Sequence, residues 1–536
     1  MPNTTVWNEY PVPPMCVEAH FGDRLIRCFA DRPRSFDAML SAAVASNPDN
    51  EALVCEDRRW TYRELDDQVD SIAAALAARG IGSGDRVLLF LRNRSEFIFM
   101  LFAVQRIGAI AVPVGTREQR PALTYIVNQC GARAIAFDSA LAERIPAIDD
   151  TPALLLRICM DEPVDGAETL AQLKAGYAGK IPAFVPSEED TAVILYTSGT
   201  TGNPKGARLT HLGIAHSAMH FAACFKLHAG DRAALAVPAS HVTGLIAIIA
   251  TMMHVGGTTL IVAEFKAVNF IAYAARERMT YTLMVPAMYN LCLLQPDLAA
   301  HDLGPWRIGG FGGAPMPVST IDSLAVRLPG LTLINAYGAT ETTSPVTAMP
   351  FGLIAAHGDS VGLALPCADV HVMDDDGCEL PPGSTGELWI GGPMVVPGYW
   401  NDAAATAREF TAGYWHSGDI GSVDEQGFVR ILDRKKDMIN RGGFKIYSAE
   451  VENILLTLPG VVEAAIVGRP CPVLGERVHA FIHVSVADLD TEAVRVYCAQ
   501  RLADYKVPET VTFSHDPLPR NANGKLLKRL LRDGVT

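Results

Sequence analysis

Closely spaced metal ligands are absent from this chain. Its 11 cysteines are scattered, and the sequence has no C-x-x-C pair and no cluster of histidine and cysteine with the spacing of a zinc site. This argues against a structural zinc ion and against a disulfide framework. Most cysteines are therefore expected to be small core residues of a reduced protein, and we expect a cytoplasmic location.

An excess of basic charge is also absent. The chain has 45 Lys and Arg residues against 59 Asp and Glu residues, which gives a formal net charge of −14. Proteins that bind nucleic acid hold its phosphate backbone with a basic surface. Nucleic acid is therefore not expected as a partner, whereas a nucleotide substrate needs only a few local donors.

Signals for secretion or membrane insertion are weak. The first residues include Glu9 and Glu18 and show no apolar run after a basic start, so no signal peptide is expected. The stretch 242–262 is largely apolar, but Gly244, His254 and two further glycines interrupt it. We favour a buried helix followed by a buried strand over a transmembrane segment.

What the chain does contain is a long alternation of strands and helices. Its 536 residues are enough for several domains, and 49% hydrophobic with 19% charged residues is typical of globular proteins. Thr61 and Glu64 form a capping box that opens an apolar-periodic helix to about Arg79. This alternation predicts an α/β fold with doubly wound, largely parallel sheets. The predicted strands are 86–91, 109–114, 134–137, 192–196, 233–237, 280–285 and 331–335.

The pattern changes after about residue 360. Short strands separated by Gly/Pro/Asp turns predict a small β-barrel-like part there. A dense charged stretch at 433–437 then precedes a smaller α+β unit, so we place a domain boundary at this stretch. The short strands are 370–373, 386–390 and 427–432.

The strongest local signal is a run of small and hydroxyl residues at 196–206, between a predicted buried strand and a predicted helix. Its glycines allow backbone N–H groups to approach a polyanion, its hydroxyl groups add donors and Lys205 adds positive charge. The spacing differs from G-x-x-x-x-G-K-[S/T], so this is not the loop of a P-loop NTPase. The candidate phosphate ligands are Thr197, Ser198, Gly199, Thr200, Thr201, Gly202 and Lys205.

With this run, the sequence resembles the adenylate-forming superfamily of acyl-CoA synthetases, peptide-synthetase adenylation domains and luciferases. Further motifs follow in the family's order from about residue 36 to residue 530, so the resemblance covers nearly the whole chain. It implies a large N-terminal nucleotide- and acyl-binding domain at 1–432. It also implies a hinge at 433–437 and a small, mobile C-terminal α+β lid domain at 438–536.

The resemblance places the purine at two loops. Residues 310–317 match the loop that lies against adenine, and residues 335–343 match the next motif of the family. Small residues in the first loop leave room for a flat ring, and Tyr337 is suited to stacking on it. The residues implied in adenine binding are Gly312, Gly313, Ala314, Ala336, Tyr337 and Gly338.

The same resemblance implies groups that act on the phosphates. Thr340 would donate to the α-phosphate, and Glu341 would hold Mg²⁺, a cation that prefers carboxylate and phosphate oxygens. Lys525 would be the catalytic lysine that brings two anionic reactants together. Read without the family, Glu341 is a solvated loop carboxylate and Lys525 begins a basic helix.

The resemblance also implies ribose and hinge residues. Asp419 would accept hydrogen bonds from both ribose hydroxyls, because a carboxylate is a natural bidentate acceptor for a vicinal diol. Arg434 would be the second ribose contact, and Lys436 lies at the family's hinge position. The alternative interpretation of 434–437 is a solvated charge run that joins two domains.

Three features favour coenzyme A as the acyl acceptor. Residues 441–445 resemble the loop that lines the pantetheine tunnel of CoA ligases, and two residues near 505 match positions close to the CoA nucleotide. No fused carrier domain follows Lys525 in the sequence given. The implied CoA-binding residues are Gly442, Gly443, Phe444, Tyr505 and Lys506.

The acid is constrained mainly by what the pocket segment lacks. Amino-acid adenylation domains usually carry an Asp in the segment equivalent to 238–244, and this chain has none, so an α-amino acid is not expected. His241 lies where CoA ligases often place a ring beside the activated carboxyl group, although a core histidine is an equal alternative. Because no Arg or Lys stands out for a second carboxylate, we expect a fatty or aromatic monocarboxylate. The candidate pocket residues are His241, Val242, Thr243, Met284, Met288, Tyr289, Ala336 and Gly338.

The resemblance therefore implies an AMP-forming acyl-CoA ligase that uses ATP, Mg²⁺ and coenzyme A. Two alternatives stay open, namely an acyl-AMP ligase that loads a separate carrier protein and a nucleotide-binding regulatory module. The regulatory module would be expected to lack Glu341 or Lys525, and both are present. Assembly as a homodimer is also left open.

Overall fold

A computed structural model describes residues 6–177, 179, 181, 184–197, 203–484, 489–520 and 526–534, with the side chain of Asp533 left out. Within this part of the chain, every helix is too short or too polar to cross a membrane.

The chain forms two compact units. The first comprises Met1–Val370, Ile390–Trp415 and Gln426–Phe428, and the second comprises His371–Trp389, His416–Glu425 and Val429–Thr536. The second unit thus includes segments that precede the charged stretch. The division at 433–437 stays a prediction.

The helices follow the predicted periodicity closely. Thr61 caps α2 through the backbone N–H of Glu64, whose carboxylate returns a hydrogen bond to Thr61. The α-helices are α1 (Phe36–Ser46), α2 (Tyr62–Ala78), α3 (Ser95–Arg106), α4 (Arg120–Cys130), α5 (Leu170–Lys174), α6 (His211–Cys224), α7 (Thr251–Val255), α8 (Ala267–Arg276), α9 (Pro286–Leu293), α10 (Val318–Arg327), α11 (Ala403–Glu409), α12 (Ser448–Leu455), α13 (Thr491–Ala499) and α14 (Lys528–Asp533). A π-helix, Thr243–Ala250, precedes α7 directly.

The strands are numbered in chain order. Up to the middle of the chain they are β1 (Met15–His20), β2 (Arg24–Phe29), β3 (Glu51–Cys55), β4 (Arg58–Thr61), β5 (Arg86–Phe90), β6 (Ile110–Pro113), β7 (Ala132–Phe137), β8 (Leu156–Cys159), β9 (Glu168–Thr169), β10 (Thr191–Thr197), β11 (Lys205–Thr210), β12 (Arg232–Leu235), β13 (Thr258–Ile261) and β14 (Tyr281–Met284). The remainder are β15 (Ile308–Phe311), β16 (Thr332–Tyr337), β17 (Thr347–Ala348), β18 (Gly362–Ala364), β19 (Asp369–Met373), β20 (Gly386–Gly391), β21 (Phe410–Thr411), β22 (Tyr414–Val423), β23 (Phe428–Arg434), β24 (Ile439–Arg441), β25 (Phe444–Ile446), β26 (Val461–Cys471), β27 (Gly475–Val484) and β28 (Thr510–Ser514).

Two largely parallel sheets dominate the first unit, as the sequence predicts. One has the order β11-β10-β6-β5-β7-β8-β9, with only the β10–β11 pair antiparallel among its described strands. The other runs β16-β15-β14-β12-β13-β3-β4, and antiparallel β17 and β18 extend it beyond β16. The stretch 242–262 is a buried π-helix and α-helix followed by β13, which confirms that interpretation.

The predicted barrel-like part is wrong in one respect. In the second unit, β19, β20, β22 and β23 lie in that order, and β19 has a single neighbour, so no closed barrel forms among the described strands. Short strands with tight turns are compatible with an open sheet or a barrel, and closure depends on tilt and stagger, which the sequence pattern does not encode. The rest of this unit is an α+β domain with the strand order β25-β24-β27-β26, in which β28 pairs with β27.

Side chains of β14 alternate between two cores. Tyr281 and Leu283 belong to the largest hydrophobic cluster of the first unit, whereas Met284 belongs to a second cluster formed with α8 and α10. Alternation of side chains across a strand makes this division unavoidable. Residues at the end of this strand are therefore divided between two environments.

Candidate active site

Four parallel strands, β12, β14, β15 and β16, end at the same edge of the second sheet. Met284 pairs with Phe311, and Phe311 pairs with Asn335, so the loops that follow these strands start side by side. The carboxyl ends of parallel strands are the usual ligand-binding edge of α/β sheets. The segment that leads to His241, the predicted adenine loop at 312–317 and the Glu341 turn all start at this edge.

The two predicted adenine loops approach each other through their backbones. A Cβ atom on Gly312 would lie 2.3 Å from the carbonyl oxygen of Ala336, and Gly313 has a φ of +75°. Glycine is therefore required at position 312, where a side chain would collide with the Ala336 carbonyl. It is favoured at position 313, where the backbone has a positive φ. Gly313 and Ala314 are exposed, and Tyr337 is half-buried.

Glu341 is the most enclosed of the predicted site residues that carry charge in the first unit. It lies in a 3₁₀ turn, Thr340–Thr342, and is only 8% exposed. Its Oε1 atom accepts a hydrogen bond of 3.0 Å from the Tyr399 hydroxyl group and lies 3.4 Å from Oγ1 of Thr197. Burial raises the pKa of this carboxyl group.

These oxygen atoms suit a hard divalent cation. The carboxylate of Glu341 and the hydroxyl of Thr197 are the donor types that Mg²⁺ accepts alongside phosphate oxygens. A solvated loop carboxylate, the interpretation without the family, is wrong because Glu341 is buried.

Lys205 and Glu341 are linked through two residues that the sequence analysis missed. The Lys205 ammonium pairs with Glu409, and it lies 4.7 Å from the centre of the Tyr399 ring. The Tyr399 hydroxyl is 2.6 Å from Oε2 of Glu409 as well as 3.0 Å from Glu341. Both residues come from segments far along the chain, and no local motif marks either of them.

Tyr399 is placed by backbone pairing. It forms an isolated β-bridge with Ala207, and Trp400 donates its N–H to the carbonyl of Gly206 over 2.7 Å. On the other side, Val396 donates its N–H to the carbonyl of Glu341 over 2.9 Å. Residues 396–400 therefore connect the exit of the predicted phosphate loop with the Glu341 turn.

His241 is neutral near pH 7. Its Nδ1 accepts a hydrogen bond from the backbone N–H of Thr243 at 3.3 Å, so the ring proton resides on Nε2. Desolvation lowers the pKa of His241 to about 4. The ring can therefore donate a hydrogen bond but supplies no positive charge.

Asn93 fixes the backbone that leads to His241. Its side-chain amide donates to the carbonyl groups of Leu235, Val237 and Val262, and it accepts from the N–H of Ala239 over 2.8 Å. The side chain is buried, so these backbone groups have no access to water as an alternative partner. The sequence analysis missed this residue as well.

The predicted acyl pocket is only partly assembled. Val242 packs in the largest core, against which Ala336 also packs, but Met284 and Met288 belong to the second cluster. Tyr289 is fully buried, stacks on Trp306 and donates to the carbonyl of Gly310 over 2.8 Å. The structure does not bring these two groups together in one cluster.

The predicted ribose residues lie together in the second unit. Asp419 and Arg434 are register partners of β22 and β23, and Nε of Arg434 lies 2.8 Å from Oδ1 of Asp419. Arg434 also donates to the carbonyl of Ser417 over 3.1 Å. The side chain of Lys436 is exposed overall, but desolvation of its ammonium group lowers its pKa.

The predicted CoA residues surround a tight hairpin. Gly442 and Gly443 connect β24 and β25 with φ angles of +60° and +91°, as a two-residue turn of this kind requires. Phe444 is 56% exposed and stacks on Tyr505 at a centroid distance of 4.6 Å. Lys506 pairs with Glu450 at 2.7 Å.

Six predicted residues lie outside the described part of the chain. They are Ser198, Gly199, Thr200, Thr201, Gly202 and Lys525.

A second group of potential metal ligands lies on the N-terminal hairpin. Ligand atoms of Glu18, His20 and Cys28 fall within 4.8 Å of one another. However, both carboxylate oxygens of Glu18 accept hydrogen bonds from Arg32, at 2.9 and 2.6 Å. The cluster is therefore organised around a buried guanidinium group rather than a cation site.

Two family models match this chain. Residues 40–400 match the model of the AMP-binding enzyme family, and residues 450–525 match the model of the AMP-binding enzyme C-terminal domain. The chain belongs to the AMP-binding enzyme family. It is a member of the acyl-CoA synthetase branch of the adenylate-forming superfamily, as the sequence motifs predict.

Two curated relatives cover nearly the whole chain. The long-chain-fatty-acid–CoA ligase FadD13 of Mycobacterium tuberculosis is 33% identical over 502 residues, which cover 92% of this chain and 97% of the relative. The feruloyl-CoA synthase of an Amycolatopsis species is 33% identical over 473 residues, which cover 88% of this chain and 93% of the relative. One relative is thus named for a fatty acid and the other for an aromatic acid.

A solved relative has the same fold. The o-succinylbenzoate CoA synthetase (MenE) of Bacillus subtilis, in complex with the acyl-adenylate intermediate OSB-AMP, superposes with a TM-score of 0.82 at 28% identity, covering 92% of this chain and 98% of that one. The same enzyme is also known in complex with ATP and a magnesium ion, with a TM-score of 0.82 and 28% identity, covering 94% and 100% of the two chains. The family and these relatives establish an AMP-forming acyl-CoA ligase.

Proposed function

We propose that this ligase activates a fatty or aromatic monocarboxylic acid as an acyl-adenylate and transfers the acyl group to coenzyme A. The observation that carries the proposal is the buried carboxylate of Glu341, held by the hydroxyl groups of Tyr399 and Thr197 at the carboxyl edge of the parallel sheet. A buried carboxylate without a paired cation is costly unless it binds one.

In the first step, a carboxylate oxygen of the acid attacks the α-phosphorus of ATP. An O–P bond forms, the bond between the α-phosphorus and the bridging oxygen breaks, and pyrophosphate leaves. Both reactants are anionic, so Lys205, Thr340 and Lys525 contribute by orientation and by donating to phosphate oxygens. Glu341 and Thr197 would hold Mg²⁺, which neutralises phosphate charge.

In the second step, the thiol of coenzyme A attacks the acyl carbon. A C–S bond forms, the C–O bond to AMP breaks, and the thiol proton is lost to solvent. The exposed ring of Phe444, stacked on the half-buried Tyr505, offers an apolar surface, and the glycine turn at 442–443 adds little steric bulk for the pantetheine chain. Lys506 would then exchange Glu450 for a phosphate of coenzyme A.

The remaining assignments in the first unit rest on position. The purine would lie on Gly312, Gly313 and Ala314 beside Tyr337. In the second unit, Asp419 and Arg434 would bind the ribose, and Lys436 would act as the hinge residue. For the acid, His241 is a neutral donor, and Val242 with Ala336 offers an apolar wall. We propose an uncharged acyl chain or ring because a second carboxylate would meet no cation among these residues.

The decisive experiment incubates the purified protein with ATP, Mg²⁺ and a panel of fatty, aryl and dicarboxylic acids, with and without coenzyme A. AMP and acyl-CoA, both identified by mass, should appear together for one monocarboxylate class. Adenylate without any thioester would transfer the acceptor role to a carrier protein. A dicarboxylate as the sole substrate would overturn the proposed acid class.

A further inference from the structure

Lys205 pairs with a carboxylate group. In this structure the ammonium pairs with Glu409 and lies over the Tyr399 ring, and its side chain is largely buried. Glu409 is in turn fixed by the Tyr399 hydroxyl at 2.6 Å and by Arg408 at 3.0 Å. A polyphosphate that binds Lys205 would therefore compete with an anion that is already in place.

The position of Glu409 makes it a substitute for phosphate. It is the last residue of α11, and Tyr399 is fastened to Thr406 of the same helix by a backbone N–H bond of 2.9 Å to the threonine hydroxyl. The Tyr399 hydroxyl then reaches both Glu409 and Glu341. The Tyr399 side chain thus contacts three charged groups: its hydroxyl lies within hydrogen-bond distance of both carboxylates, and its ring lies beneath the Lys205 ammonium. Tyr399 itself lies in the segment 396–400, which connects the exit of the phosphate loop with the Glu341 turn.

We propose that Glu409 is a resting counter-ion for Lys205, which the polyphosphate of ATP displaces when it binds, and that Tyr399 holds Glu409 in place for this exchange. The inference rests on the proposed function, since it requires ATP as a ligand. Its physical basis is competition. A cation with a good carboxylate partner gains less from a new anion than a cation without one.

The exchange predicts that removing the resting anion strengthens nucleotide binding. Glu409→Gln retains the size of the side chain but removes its charge, so ATP binding no longer requires an ion pair to break. We expect the dissociation constant of a non-hydrolysable ATP analogue, measured by titration calorimetry, to fall about five-fold. Binding should also depend more steeply on salt, because a net ion pair is now formed.

A double-mutant cycle identifies the group through which the gain acts. In a Lys205→Gln background, the added Glu409→Gln change should leave the dissociation constant unaltered. The Arg408→Gln/Glu409→Gln double variant should keep the full gain, since Arg408 has no part in the exchange. The matched control is Glu264→Gln, which neutralises a Glu–Lys pair of 2.9 Å with Lys266 elsewhere on the first unit and should change nothing.

Weaker or unchanged binding by a folded Glu409→Gln variant overturns the exchange, as does a gain that survives in the Lys205→Gln background. If Glu409→Gln does not fold, Tyr399→Phe gives the same test, because it removes the hydroxyl that holds Glu409. Its binding is measured in EDTA, where metal binding at Glu341 plays no part, and a smaller gain is expected. An unchanged or weaker affinity contradicts the exchange.

The two proposals fail in different ways. A wild-type protein that does not bind the ATP analogue refutes the proposed function and the exchange together. A wild-type protein that forms acyl-adenylate, with a Glu409→Gln variant that binds the analogue no more tightly, refutes the exchange alone.

Discussion

Two predicted site segments, the Glu341 turn in the first unit and the turn at Gly442 and Gly443 in the second, are held in opposite ways. In the first unit, Glu341 is 8% exposed and its carboxylate is fixed by Tyr399. In the second unit, Phe444 is 56% exposed, and a Cβ atom added at Gly443 would have no other atom within 4 Å. The proposed Mg²⁺ ligand Glu341 is therefore fixed by neighbouring side chains, whereas the proposed CoA surface is open.

The largest expected difference between the units is their response to acid. His211, His216 and His220 are buried in the first unit, and desolvation lowers their pKa values to about 4, about 4 and about 3. An unfolded histidine titrates near pH 6.5, so the unfolded chain binds more protons below that pH, and stability falls as pH decreases toward 4. Each histidine accounts for up to about 3 kcal/mol of the free energy of unfolding that is lost as the pH falls toward 4.

Scanning calorimetry at pH 7, 6 and 5 measures this loss of stability. Asp37 and Glu341 act in the opposite sense, because burial raises their pKa values and the folded state binds their protons more tightly. The second unit contributes His479, with a pKa lowered to about 4. A first-unit transition that does not move between pH 7 and 5 contradicts the assignment of neutral buried histidines.

The next effect is on chemistry in the first unit alone. Glu341→Gln should reduce acid-dependent AMP formation at least about 100-fold, because an amide is a poor ligand for Mg²⁺. The melting temperature should hold or rise, since burial disfavours the charge that is removed. Release of pyrophosphate from ATP, measured separately in the presence of each acid, is the readout. If Glu341→Gln keeps full activity with a normal dependence on Mg²⁺, Glu341 is not a ligand of the catalytic Mg²⁺.

A milder variant probes the second unit. Gly443→Asn adds a side chain where nothing lies within 4 Å of an added Cβ, and Asn tolerates the positive φ of +91° better than other residues. Thioester formation from a supplied acyl-adenylate should fall about ten-fold, while adenylation is unchanged. Gly443→Val is the comparison variant. It adds a side chain of similar size, but a β-branched residue is also strained at this positive φ. Equal losses in both half-reactions would refute the CoA assignment.

The smallest expected effect is on stability. Phe444→Ala removes one ring of an exposed stacked pair, so the free energy of unfolding of the second unit should change by less than about 1 kcal/mol. The KM for coenzyme A should rise while the KM for ATP does not. A large loss of stability would show that the pair belongs to the core of the second unit. The proposed CoA surface would then not differ from the buried Glu341 turn of the first unit.

Local patterns predicted the elements of this fold well. The capping box at Thr61 and Glu64 specifies a helix start by itself, and the structure has α2 there. Apolar strands between helices likewise predicted the parallel sheets. These features depend on neighbours in sequence, which is why they can be read from the sequence.

Features that depend on distant contacts could not be predicted. Tyr399 and Glu409 join the site through pairing with Ala207 and Lys205, and nothing in their own segments marks them. Met284 was grouped with Val242, yet strand alternation directs it into another core. β14 is buried on both faces, so its sequence does not show which of the two alternating faces adjoins the core that contains Val242.

The π-helix at Thr243–Ala250 follows His241 of the proposed acid site. Its wide turns, exemplified by the bond from the N–H of Thr251 to the carbonyl of Ile246, hold one residue more than an α-helix needs over the same path. Deleting one residue here would let the segment rewind as an α-helix with both ends anchored. The residues that follow His241 would then rotate about the helix axis, so a single deletion is expected to change which side chains of this segment face the proposed acid site.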